Sequence, residues 1–87
     1  MLNIQFESGK ELQFNVQKSR HALLILRTVK RIFKDEIVKY ALFNSIDINL
    51  SYPVLHRIAS EYLRYNNNNR LGALVCEIIK EKAELNL

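Results

Sequence analysis

The sequence is poor in the residues that mark several large classes of protein. Its 87 residues include one cysteine, one proline, two glycines and no tryptophan. The single cysteine, Cys76, excludes an internal disulfide framework and a zinc site built on cysteines, and it favours a reducing compartment. Because 48% of the residues are hydrophobic, the chain is also unlike a collagen or a flexible linker.

Long hydrophobic runs are missing as well. Every apolar run ends well before the roughly 20 residues that a membrane-spanning helix needs. Residues 1–5 lack the charged and apolar regions of a signal peptide, so we expect no secretory leader. The length predicts one small domain covering residues 1–87.

Positive charge is concentrated in one segment. The net charge is +4, but residues 18–40 alone carry +5, residues 1–17 carry −1 and residues 41–87 are neutral. At about 100° per residue of a helix, four cations of this segment share one stripe: Arg20, Arg27, Arg31 and Lys34. This basic stripe can bind nucleic acid or an acidic protein surface. A solvated helix face that keeps the protein in solution is the alternative, and the sequence leaves both open.

The first 16 residues predict a β-hairpin. Apolar and polar residues alternate over residues 2–6 and again over residues 12–16, which is typical of strands with one buried face. Residues 7–11 between them form a turn in which Gly9 is free to take a positive φ.

A helix is expected next, with Ser19 as its N-cap. Its apolar residues recur at helical spacing: Ala22, Ile25, Leu26, Val29, Ile32 and Phe33. Leu24 and Val38 would fall on the basic side of a straight helix. We therefore expect either that Leu24 is exposed or that the helix bends or stops near residues 34–36.

The second half of the chain predicts one strand and two helices. Residues 46–50 alternate as a short third strand, and Pro53 fits the first turn of the following helix. Four asparagines at residues 66–69 indicate a loop before the last helix. The expected fold is α+β, with a small three-stranded sheet packed against helices in the order ββα(α)βαα, where the helix in parentheses is optional.

The sequence offers little chemistry for catalysis. Cys76 with His21 or His56 could in principle supply a nucleophile and a base. Cys76 lies in an apolar run, however, where most cysteines act as inert small hydrophobic residues. No cluster with metal-ligand spacing is present. We expect a protein that is not an enzyme and that holds no cofactor.

Several segments resemble the elongin C and Skp family, and elongin C most closely. Residues 2–16 are similar to the opening hairpin of that family, and residues 48–55 resemble its short strand followed by a helix that a proline introduces. Residues 61–66 contain Tyr62 and Tyr65 in the Tyr-x-x-Tyr arrangement of elongin C. The resemblance spans nearly the whole chain.

This resemblance implies a BTB/POZ-type fold and a non-enzymatic adaptor role. The adaptor would belong to a cullin-type ubiquitin ligase or a related elongin complex in the nucleus or cytoplasm. Its expected partners are an elongin B-like ubiquitin-fold protein, a BC-box receptor and a cullin. The resemblance places partner-binding residues on the last two helices: Tyr62, Tyr65, Leu74, Ile78, Ile79 and Leu85. The alternative from the residues alone is a small basic protein that binds nucleic acid or the ribosome through the basic stripe.

Overall fold

In a computed structural model, residues 1–65 and 70–85 are described, apart from the side chains of Tyr62, Tyr65 and Leu71. The elements follow the order ββαββαα: β1 (Leu2–Phe6), β2 (Glu11–Phe14), α1 (Ser19–Ile32), β3 (Val38–Phe43), β4 (Ile46–Asp47), α2 (Tyr52–Tyr65) and α3 (Arg70–Leu85). The α+β class is confirmed. The chain divides into two compact units, Met1–Asn49 and Leu50–Leu87, which are described separately. The single domain stays a prediction.

The N-terminal unit contains one antiparallel sheet with the strand order β2-β1-β3-β4. In the first hairpin, the Phe6 N–H donates to the Lys10 carbonyl at 2.9 Å and the Gly9 N–H donates to the Phe6 carbonyl at 3.0 Å. Gly9 has φ of 93°, the left-handed conformation that a three-residue hairpin loop requires. The predicted hairpin is confirmed, although its second strand ends at Phe14 and not at residue 16.

One face of this sheet forms the core of the unit together with α1. The alternation in β1 buries Leu2, Ile4 and Phe6 completely and leaves Asn3 and Gln5 half-buried. The apolar side chains that β3 and α1 bury are Ala41, Phe43, Ala22, Leu23, Leu26 and Val29. Because α1 contacts β3, the helix and the sheet together remove the apolar face of β1 from water, whereas Leu12 and Phe14 of β2 stay half-buried.

The predicted three-stranded sheet and the optional helix are wrong. Residues 38–43 form a six-residue strand, β3, and the strand predicted over residues 46–50 shortens to Ile46–Asp47. The sheet therefore has four strands. The burial pattern of β3 explains the error: Ala41 and Phe43 are buried on one face, but Tyr40 and Leu42 are also half-buried. A strand that carries apolar side chains on both faces shows no apolar–polar alternation in its sequence.

Both ends of α1 differ from the prediction in detail. Lys18, not Ser19, holds the extended N-cap conformation, and the Lys18 side chain makes no capping hydrogen bond. At the other end α1 stops at Ile32, and the N–H of the C-cap residue Phe33 donates to the Val29 carbonyl at 2.8 Å. The helix thus stops before residues 34–36, which is one of the two outcomes expected from the sequence. Leu24 is 37% exposed, which was the other option. Ile32, expected in the core, is 66% exposed because it is the last residue of the helix.

In the C-terminal unit, α2 and α3 pack against each other. Pro53 is the second residue of α2, as predicted, and the first helical hydrogen bond runs from the Leu55 N–H to the Ser51 carbonyl at 3.1 Å. The two helices bury Leu55, Ala59, Val75, Ile78 and Ile79. The loop predicted at residues 66–69 lies outside the described residues. No described helix is both long enough and apolar enough to cross a membrane.

Candidate functional site

The six predicted partner-binding residues all fall on α2 and α3, but they differ in burial. The side chains of Tyr62 and Tyr65 lie outside the described residues. On α3, Ile78 is fully buried, Ile79 is nearly so, and Leu74 and Leu85 are half-buried. A fully buried side chain supports the core, so in the free chain Ile78 packs within the C-terminal unit, and its part in partner binding stays a prediction.

Ile79 lines a groove of about 610 Å³ that runs between the two helices, the α2–α3 groove. Its side chains come from one face of each helix: Tyr52, His56, Ala59, Ser60 and Leu63 from α2, and Cys76, Ile79, Lys80, Ala83 and Glu84 from α3. On each helix these positions recur three and four residues apart, so they are neighbours on the helix surface. The sequence thus directs one continuous face of each helix into this groove.

Small side chains leave the space that forms the groove. Ala59, Ser60 and Ala83 are short, whereas Leu63 stands at the edge with 44% of its surface exposed. The Tyr52 ring lies 4.6 Å from the His56 ring at a tilt of 53°. Two aromatic rings and an exposed leucine around a shallow floor are the kind of surface on which a partner side chain buries apolar area.

The polar groups of the groove lie mostly at its border. Lys80 and Glu84 are exposed, so both charges remain in water, and Cys76 is a half-buried free thiol. His56 and Cys76 line the same groove, but His21 belongs to the N-terminal unit. Among the described residues, no three His, Cys, Asp or Glu side chains come close enough to hold a metal ion. The absence of enzymatic activity stays a prediction.

The basic stripe lies on the N-terminal unit. Arg20, Arg27 and Arg31 are exposed on α1, and Lys34 is exposed just beyond the end of that helix. No acidic residue occurs within Ser19–Ile32. The helix therefore carries several positive side chains and no negative side chain of its own.

Sequence reasoning missed a second groove, between α1 and the edge strand β2. One part, of about 440 Å³, is lined by Leu12, Phe14, Leu24, Ile25, Thr28, Val29, Ile32 and Phe33. A second part, of about 600 Å³, is lined by Asn15, Val16, Gln17, Lys18, His21, Leu24 and Ile25. Leu24 and Ile25 line both parts, and the two adjoining parts together are called the α1–β2 groove. The position of Leu24, an apolar residue on the basic side of the helix, was the one feature of the sequence that could have indicated this groove.

Contacts around Phe33 fix one end of the α1–β2 groove. The Phe33 ring packs 5.6 Å from the Phe6 ring, and the Lys10 Nζ lies 4.7 Å from the centre of the Phe33 ring. Lys10 also pairs with Glu36 at 3.8 Å, and Glu36 accepts a hydrogen bond from the Ser8 hydroxyl at 2.7 Å. The hairpin loop is thereby tied to the turn that follows α1.

Comparisons with protein-family models, with curated proteins and with solved structures find no match to this chain.

Proposed function

We propose that this protein is a non-enzymatic adaptor that binds partner proteins through the α2–α3 groove. The observation that carries the proposal is the groove itself, with its apolar floor and the exposed Leu63 and Tyr52 at its border. Large apolar side chains that stay exposed beside a concave surface are typical of protein-interaction sites.

The shape of the groove suits a helical partner segment. A groove bordered by two helices accepts the apolar face of an amphipathic helix, whose side chains at i, i+3 or i+4 and i+7 enter the groove. Lys80 on the border would then pair with a carboxylate of the partner outside the apolar contact. Such exposed charges contribute more to specificity than to affinity.

The resemblance to elongin C gives this proposal its finer form. In that form the chain has a BTB/POZ-type fold and bridges an elongin B-like protein, a BC-box receptor and a cullin in the nucleus or cytoplasm. The resemblance implies a receptor groove on the last two helices, and the α2–α3 groove occupies that position in the chain. This agreement in position supports the finer form.

Binding of a BC-box peptide, measured by isothermal titration calorimetry with the full chain, tests the proposal. Leu63→Gln, at the groove border, should weaken binding about tenfold, because it removes an apolar contact. Glu61→Gln is the matched control: Glu61 is exposed on α2 and does not line the groove. Absence of peptide binding would contradict the elongin form, and equal effects of the two variants would contradict the groove.

A second candidate function is favoured by the charge of α1. Its exposed arginines, with no acidic residue in the helix, suit the phosphates of nucleic acid or of the ribosome. Binding of this kind weakens steeply with salt, whereas docking in the α2–α3 groove should not. Titrations of a single-stranded RNA and of the BC-box peptide at about 50 and 200 mM salt distinguish the two functions, because only nucleic-acid binding should weaken steeply.

A further inference from the structure

The α1–β2 groove is a second apolar surface, separate from the α2–α3 groove. Leu12 and Phe14 of the edge strand and Leu24, Ile25 and Ile32 of α1 give it an apolar surface. Leu24 and Ile32 keep a large part of their surface in water. An apolar groove bordered by such exposed side chains gains free energy when a partner covers it.

Positive charge borders this groove along α1. At about 100° per residue, Arg31 lies about 20° and Arg27 about 60° from Leu24 around the helix axis, on the side away from the core. Both arginines are exposed, and α1 has no acidic residue. A segment lying in the groove would therefore find apolar contacts on the floor and cations at one border.

We propose that the α1–β2 groove docks an acidic amphipathic helix of a partner protein. The groove follows α1 from Lys18 to Phe33, about 22 Å at 1.5 Å per residue, which matches a helix of about 15 residues. Apolar residues on one face of that helix meet Leu24 and Ile32. Acidic residues beside them pair with Arg27 and Arg31, since guanidinium groups bind carboxylates in a bidentate manner.

Charge complementarity and the apolar floor together favour this occupant over nucleic acid. A nucleic acid would bind the arginines through its phosphates. Phosphate contacts would not bury the exposed apolar side chains of Leu24 and Ile32. A basic helix would fit the floor, but its cations would be repelled by Arg27 and Arg31. A neutral helix would also fit the floor, but it would offer no carboxylate to pair with the two arginines.

A synthetic helix provides the test. The probe is a fluorescein-labelled peptide of about 15 residues with leucines on one face and glutamates on the others, titrated against the full chain by fluorescence anisotropy. Its controls are the same peptide with lysine in place of glutamate and a scrambled peptide of equal composition. A single-stranded RNA of similar length is titrated in parallel.

The proposal predicts that the acidic helix binds at least about tenfold tighter than either control peptide. Ile32→Gln should weaken it about tenfold, and Arg27→Glu with Arg31→Glu should weaken it by at least as much. The matched double variant, Lys39→Glu with Arg57→Glu, changes the charge equally at exposed positions outside the groove and should have less than about a twofold effect. Circular dichroism of each variant confirms that it folds.

Two results would overturn the proposal. The first is equal binding of the acidic, lysine-containing and scrambled peptides. The second is tighter binding of the RNA, with a steep dependence on salt and no response to Ile32→Gln, which would assign the border of α1 to phosphate.

Discussion

The Asp47 carboxylate accepts a hydrogen bond of 3.0 Å from the backbone N–H of Ala41. The same Oδ1 accepts a second bond of 3.0 Å from the Asn49 N–H, and the Ile48 N–H donates to the Ala41 carbonyl at 2.8 Å. One side chain thus satisfies two backbone donors where β4 ends after only two residues. It does so beside Ala41, which is fully buried.

Asp47→Ala should lower the free energy of unfolding by about 2 kcal/mol, because it leaves the buried Ala41 N–H without an acceptor. Asp47→Asn is the matched control, since its side-chain carbonyl can still accept both bonds, and we expect a loss of less than about 1 kcal/mol. Urea unfolding monitored by circular dichroism measures both. Equal losses for the two variants would contradict a role for the oxygen acceptor.

Gly9→Ala should destabilise the protein by about 1 kcal/mol. No atom lies within 4 Å of the position that a Cβ would take, so steric clash makes no contribution. The cost comes from the φ of 93°, which residues with a side chain rarely adopt. Gly9→Asn should cost less, because asparagine tolerates the left-handed region. Thermal unfolding of both variants checks the order, and a neutral Gly9→Ala would contradict it.

Lys82 holds the start of the C-terminal unit to α3. Its side chain is largely buried, and its ammonium group donates a hydrogen bond to the Leu50 carbonyl. Lys82→Met keeps the length of the side chain and removes the donor, so we expect a loss of about 1–2 kcal/mol in unfolding free energy. Lys80→Met, at an exposed position of the same helix, should change stability by less than about 0.5 kcal/mol. A Lys82→Met variant more stable than the parent would show that burying the ammonium costs more than the bond contributes.

Local sequence patterns predicted the elements whose conformation depends on residues close to them in the chain. Alternation and Gly9 predicted the first hairpin, and Pro53 placed the start of α2, because turn and helix-start chemistry acts over a few residues. β3 was missed because Tyr40 and Leu42 are half-buried on the face opposite Ala41. Such partial burial depends on tertiary packing, which periodicity does not report.

The candidate sites also differ in whether local sequence or tertiary packing determines them. The basic stripe could be predicted because Arg20, Arg27 and Arg31 follow one helical repeat. The α1–β2 groove could not, since it brings Leu12 and Phe14 beside a helix that begins after the next four residues, and only the sheet topology places them there. Ile78 and Ile79 are adjacent in sequence, yet only Ile79 reaches the α2–α3 groove, which a residue-type pattern does not distinguish.

Replacing different isoleucines of the N-terminal unit by alanine should have very different effects. Ile4 is fully buried in β1, so Ile4→Ala removes packed methyl groups and leaves a cavity, at a cost of about 3 kcal/mol. Ile37→Ala makes the same change at a side chain that is 70% exposed, and we expect less than about 0.5 kcal/mol. Ile32→Ala should resemble Ile37→Ala in the free protein. If chemical denaturation instead gave Ile32→Ala a loss close to that of Ile4→Ala, Ile32 would belong to the core and would not be available to a partner in the α1–β2 groove.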